Sequence, residues 1–168
     1  GFCGTVLAFT TPESAQGQDL NGDGDLDDDV LQLWVPATGT LVAVGQAADD
    51  FVCNDTIVAF RTSEHAQADT NLQGGTGAPT PATNVMQAFR LDRPECLAAK
   101  PPASCIRSSK QAAVPCTEAA CNPRVPYKVT SCGVKFLTVE CEQRGSVDAA
   151  FCGSNGGTDL DGDTPPDA

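Results

Sequence analysis

The sequence predicts an all-β protein, built from antiparallel β-meander repeats and stapled by disulfides. Three observations predict it: a residue pattern that recurs three times, short alternating runs of β-branched and aromatic residues, and nine cysteines in a chain of 168 residues. The pattern is Phe-x-Thr-x-Glu-x-x-Gln, first at Phe9, Thr11, Glu13 and Gln16, then at Phe60, Thr62, Glu64 and Gln67, and again at Phe136, Thr138, Glu140 and Gln143. A cysteine precedes each copy, at Cys3, Cys53 and Cys132. Self-similarity of this kind marks structural repeats. The chain therefore reads as a single domain, 1–168, of three partial β repeats at about 1–52, 53–91 and 132–168, with a Cys/Pro-rich insertion at about 92–131.

Within the first repeat, Val6-Leu7-Ala8-Phe9-Thr10-Thr11 has the composition and length of a strand. A long polar loop follows, and Val30-Leu31-Gln32-Leu33-Trp34-Val35 forms the second strand. Pro36-Ala37-Thr38-Gly39 is a turn signal that leads into a third strand, Thr40-Leu41-Val42-Ala43-Val44, so the unit is an antiparallel meander. The second repeat matches it with Ile57-Val58-Ala59-Phe60-Arg61-Thr62 and Val85-Met86-Gln87-Ala88-Phe89. Gly, Pro and Asp interrupt every window long enough for an amphipathic helix.

This order of strand, Asp/Asn/Gly loop, strand, Ala37-Thr38-Gly39-Thr40 turn and strand resembles the bacterial β-propeller repeats of the TolB-like and WD40-like type. The resemblance covers residues 4–67, 84–90 and 132–163 and implies propeller-blade-like sheets. A closed ring takes four or more blades. Three partial repeats predict instead an open stack of hairpins or a β-sandwich. The third repeat ends at Ala168, where the first would be entering its second strand, so the expectation is a missing partner strand supplied by another subunit or a chain that continues.

The cysteines stand at 3, 53, 96, 105, 116, 121, 132, 141 and 152. There is no C-x-x-C pair and His65 is the only histidine, which removes the usual ligands of zinc and the usual attachment of haem. Disulfides and an oxidising, extracellular or cell-surface location follow. An odd count leaves one thiol, either free and buried or bonded to another chain. The chain opens on Gly1 with no basic or apolar leader, as expected if a signal peptide has been removed. No apolar run is long enough to span a membrane.

The net charge of −12 is unevenly distributed. Residues 1–89 hold twelve acids against Arg61, residues 90–145 hold nine basic residues against five acids, and residues 146–168 hold five Asp and no base. Such a chain repels nucleic acid and anionic membranes, while its basic middle is suited to the acidic end of another copy. The plainer reading is that cations neutralise the acidic ends and the middle is solvated.

The densest acidic stretch is Asp19-Leu20-Asn21-Gly22-Asp23-Gly24-Asp25-Leu26-Asp27-Asp28-Asp29. It places oxygens at alternate positions, Asp19, Asn21, Asp23, Asp25, Asp27 and Asp29, with Gly24 at the sixth for a sharp turn, as in EF-hand and dockerin loops. Hard oxygens at this spacing predict Ca2+. The bidentate Glu of those loops is replaced by Val30, so the last ligand must come from Asp28, Asp29, water or Glu13, and a dissociation constant of about 10⁻⁴ to 10⁻³ M is expected. Asp159, Asp161, Asp163 and Asp167 repeat the first half of the loop, resemble thrombospondin type 3 repeats and form a second candidate site. The corresponding stretch of the second repeat, 69–84, keeps only scattered Asp and Asn and predicts no ion loop.

Asn54-Asp55-Thr56 is a sequon that marks Asn54 as a candidate glycan site. No nucleophile elbow or phosphate loop is present, and recurrent Glu13, Glu64 and Glu140 read as structural rather than catalytic. The expectation is a non-enzymatic, secreted structural protein, calcium-stabilised and disulfide-rich, that joins copies of itself head to tail in a surface layer, fibre or filament, by strand addition or an intermolecular disulfide. The alternative is a carbohydrate- or protein-binding module of a larger secreted enzyme or adhesin.

Overall fold

The computed structural model describes residues 1–73, 84–113, 127–130 and 133–136. They form two four-stranded antiparallel meanders and a hairpin. The first sheet contains β1 (Phe2–Cys3), β2 (Val6–Pro12), β3 (Asp29–Val35) and β4 (Thr40–Ala47). The second contains β5 (Asp50–Cys53), β6 (Ile57–Ser63), β7 (Asn84–Arg90) and β8 (Ile106–Ala113), and the hairpin is β9 (Tyr127–Thr130) with β10 (Gly133–Phe136). A one-turn helix α1 (Glu13–Gln16) follows β2, and a 3-10 turn, His65–Gln67, stands at the same place after β6. Strand β8 falls within the stretch that composition marks as an insertion. The proline-rich connection before it, closed by the Cys96–Cys105 disulfide, separates it from β7 and hides the meander in the sequence.

The repeats share one register. Phe9 lies opposite Gln32 and Trp34 opposite Leu41 in the first sheet, as Phe60 lies opposite Gln87 and Phe89 opposite Ile106 in the second. Both third strands break register at the same point, between Val30 and Gln32 and between Val85 and Gln87. The hairpin pairs Phe136 with Tyr127, as the second sheet pairs Phe60 with Phe51, so it matches the first two strands of that sheet.

These units stack face to face. One side of the first sheet, with Val6, Ala8, Leu31, Leu33, Val42 and Val44, is buried against Val58, Phe60 and Phe89 of the second. The opposite side of the second sheet, with Ala59 and Met86, packs on Tyr127, Val129, Val134 and Phe136 of the hairpin. Sandwiched on both faces, the second sheet loses the in-and-out burial of a half-exposed sheet: Val58, Ala59, Phe60, Arg61 and Thr62 are all fully buried. Each large apolar side chain removed from water in this way contributes about 1.5–3 kcal/mol. The three layers form an open stack, with no closed barrel or ring among the described residues.

Two further devices tie the layers together. The Cys3–Cys53 disulfide joins β1 to β5, with Cα atoms 5.5 Å apart, and so links the first sheet to the second. Arg61, fully buried on β6, donates through Nε to Asp50 Oδ1 at 3.0 Å, and the Tyr127 hydroxyl donates to the same oxygen at 2.8 Å. The guanidinium also lies over the Tyr127 ring, 5.5 Å from its centre. Burial and the Asp50 charge push the Tyr127 hydroxyl pKa far up, which keeps it a donor. Cys116, Cys121, Cys132, Cys141 and Cys152 lie outside the described residues. No helix among those residues is long and apolar enough to cross a membrane.

Candidate metal site

The long loop between α1 and β3 folds on itself through side-chain turns. Asp19 accepts from the Gly24 amide at 3.1 Å, Asn21 from Asp23 at 3.2 Å, Asp23 from Asp25 at 3.1 Å and Asp25 from Asp27 at 3.0 Å. Alternating Asp and Asn side chains thus serve the backbone locally, which is why these residues favour such turns. Gly24 makes the sharp bend with φ of 103°, a conformation that other residues rarely adopt.

Glu13 anchors the loop from inside. It opens α1 at the end of β2, is fully buried, and accepts through Oε1 from the amides of Leu20 and Asn21. Its own amide donates to the Asp28 carbonyl at 2.9 Å, so the two ends of the loop are pinned together. Asn21 Nδ2 donates both to Asp28 Oδ2 and to the Ala66 carbonyl, each at 3.0 Å, which docks the loop on the second repeat. Gln67 completes that junction by accepting from the Ala47 amide at 3.1 Å.

This folding gathers four carboxylates, Glu13, Asp23, Asp25 and Asp28, with one oxygen from each within 4.8 Å of all the others. At that separation each pair of charges repels by about 3.5 kcal/mol at an effective dielectric of about 20. The strain shows in Asp28, whose pKa is pushed up to about 6 by burial first, then by a hydrogen bond shared with Asp23 and by the charges of Asp23 and Asp25. The fourth group carries a stronger signal: Glu13 Oε2 is buried and has no hydrogen-bond partner among the described residues. An orphaned carboxylate oxygen costs several kcal/mol unless something positive meets it. A cleft of about 510 Å³, lined in part by Asp27, Asp28, Asp29 and Asp49, opens beside the cluster.

Of the loop residues spaced for ligation, Asp23 and Asp25 join the cluster; Asp19, Asn21 and Asp27 lie in the surrounding turns, and Asp29 begins β3 opposite Pro12. Glu13 and Asp28, the substitutes for the missing bidentate Glu, complete the group. Asp159, Asp161, Asp163 and Asp167 lie outside the described residues. In the second repeat Glu64 is also buried and accepts from the Leu72 amide at 2.8 Å, but no acidic group gathers around it among the described residues. Asn54 sits in the turn from β5 to β6, where its side-chain oxygen accepts from the Thr56 and Ile57 amides, both at 2.9 Å.

Comparison of the chain with family models, with curated proteins and with solved structures returns no match.

Proposed function

We propose that the protein is a non-enzymatic structural component of the extracellular space, whose stacked, blade-like repeats are held by disulfides and by a calcium ion in the loop of the first repeat. The carrying observation is Glu13, which belongs to a group of four carboxylates and whose buried Oε2 has no hydrogen-bond partner among the described residues. A divalent cation would satisfy that oxygen and cancel the repulsion among Glu13, Asp23, Asp25 and Asp28 together. Calcium suits the site better than magnesium, because it accepts several carboxylates in irregular geometry, whereas magnesium demands a near-octahedral shell and keeps its waters. The site lies where the loop docks on the second repeat, so the ion would stiffen the joint between layers rather than act on a substrate.

The test is thermal unfolding of the disulfide-intact protein in chelator, in about 10 mM calcium and in the same concentration of magnesium. With a dissociation constant of about 10⁻⁴ to 10⁻³ M, calcium stabilises the fold by about 1.5–3 kcal/mol. Glu13→Gln keeps an acceptor for the Leu20 and Asn21 amides and should lose most of that increment. A thermal midpoint indifferent to calcium in the unsubstituted protein would overturn the reading.

A further inference from the structure

The first sheet has a face that its fellow repeats bury. Through the shared register, Leu7, Phe9, Gln32, Trp34 and Leu41 correspond to Val58, Phe60, Gln87, Phe89 and Ile106 of the second sheet. The second set packs on the preceding unit, and Val134 and Phe136 of the third unit pack in the same sense on the second sheet. In the first sheet the same face is open at Phe2, Trp34 and Leu41, which are 79%, 39% and 44% exposed, while Leu7 and Phe9 are half-buried and Gln32 is buried. Contiguous exposure of large apolar side chains on one sheet face marks an interaction surface.

A polar signature on this face says what kind of surface covers it. In the second sheet, Thr62 Oγ1 donates to Gln87 Oε1 at 2.7 Å, and Gln87 Nε2 donates across the layer junction to Gln46 Oε1 at 2.9 Å. In the first sheet, Thr11 Oγ1 donates to Gln32 Oε1 at 2.8 Å in the same way, but Gln32 Nε2 has no acceptor among the described residues. Among the described residues, no group holds for Gln32 the place that Gln46 holds for Gln87. In the last of the described layers, Lys128 and Lys135 are exposed on the side of the hairpin turned away from the second sheet. By register Lys135 corresponds to Ala8 and Ala59, so this side is the one each unit presents to the next. No like charge of the first sheet opposes the match, because residues 1–49 hold no Lys or Arg. Lysine stems also suit an exposed indole, through their methylenes and through cation–π attraction.

We propose that the open face of the first sheet, with Phe2, Leu7, Phe9, Trp34 and Leu41, is an interface for a second copy of this chain, which seats the Lys128 and Lys135 side of its β9–β10 hairpin there. The contact continues the internal stacking from one molecule to the next. It joins unlike surfaces, so it propagates head to tail instead of closing a dimer. It extends the structural reading above but does not depend on the ion, and the thermal test of calcium binding reports on that separately.

Sedimentation velocity over a range of protein concentrations, in calcium, tests it with two variants of the full chain. One carries Trp34→Glu and Leu41→Glu, the other Lys128→Glu and Lys135→Glu; circular dichroism and the thermal midpoint verify that each is folded. The unsubstituted protein should show a concentration-dependent series of oligomers. Each variant alone should associate at least roughly tenfold more weakly, as expected when a buried anchor is lost. An equimolar mixture should form dimers and stop, because each partner keeps one competent face. A chain that stays monomeric at every concentration overturns the proposal, as does a Trp34/Leu41 variant that assembles normally. So does a Lys128/Lys135 variant that still dimerises while the Trp34/Leu41 variant does not, since that outcome means face-to-face pairing. Should the double Glu variant fail to fold, Trp34→Ser alone provides the same comparison.

Discussion

Gln46 and Gln87 meet across the junction of the first two sheets, the Nε2 of Gln87 donating to the Oε1 of Gln46 at 2.9 Å. The register break in β3 and β4 shapes this end of the first sheet, where β4 supplies Gln46 and Ala47 to the junction. Thr62 closes the network, with its hydroxyl placed 2.7 Å from both the Ala47 carbonyl and Gln87 Oε1. Gln87 is almost wholly buried, and a second bond from its amide to Ser108 Oγ at 3.0 Å satisfies it fully. Satisfied buried networks of this kind select one way of packing two layers.

Removing both partners should therefore cost less than the two single losses added together. Gln87→Leu strands the Gln46 and Thr62 groups and should destabilise the protein by about 1–3 kcal/mol in urea unfolding, whereas Gln46→Leu, nearer the edge, should cost about 1 kcal/mol. The double variant should fall short of the sum, giving a coupling energy of about 0.5–1.5 kcal/mol. Strict additivity would mean that the contact does not join the sheets.

Protons and calcium should compete at Asp28. Its pKa is raised in the fold to about 6 from an ordinary 3.8, so the folded chain binds this proton more tightly than the unfolded one. In chelator its contribution to stability is full below the ordinary value and is lost as the pH rises through about 6. In calcium the order reverses, because the ion needs the carboxylate, and the stabilisation by calcium should grow over the same interval. Thermal midpoints of the natural chain and of Asp28→Asn, measured with and without calcium from about pH 4 to about 8, isolate the effect. Identical pH profiles for the two proteins in chelator would count against it.

Opening the Cys3–Cys53 link should loosen the first layer from the second. The bond closes a loop of 50 residues, for which the chain-entropy relation gives a contribution of about 4 kcal/mol. Closing the nine-residue separation between Cys96 and Cys105 contributes about 2.5 kcal/mol by the same relation. Denaturant unfolding of the Cys3→Ala, Cys53→Ala pair should accordingly show the larger loss, compared with Cys96→Ala, Cys105→Ala. The reverse order would place the main constraint in the loop after β7.

Local pattern carries the strands, the repeats and the acidic loop, because each depends on residues close together in the chain. Alternation at Val6–Thr11 and Ile57–Thr62, the turn at Pro36–Gly39 and the spacing of Asp19–Asp29 are legible in this way. The recurrence of Phe, Thr, Glu and Gln in three places also marks the positions that matter, Thr11 and Thr62 for the cross-strand glutamines and Glu13 and Glu64 for the loops. What the tertiary structure alone decides is which distant groups meet. The order of the stack, the burial of Arg61 between Asp50 and Tyr127, the strand β8 beyond its disulfide loop and the convergence of Glu13 with Asp28 depend on contacts between segments far apart in sequence. No periodicity records such contacts, because they arise when apolar faces leave water together and draw the polar groups at their edges into partnership.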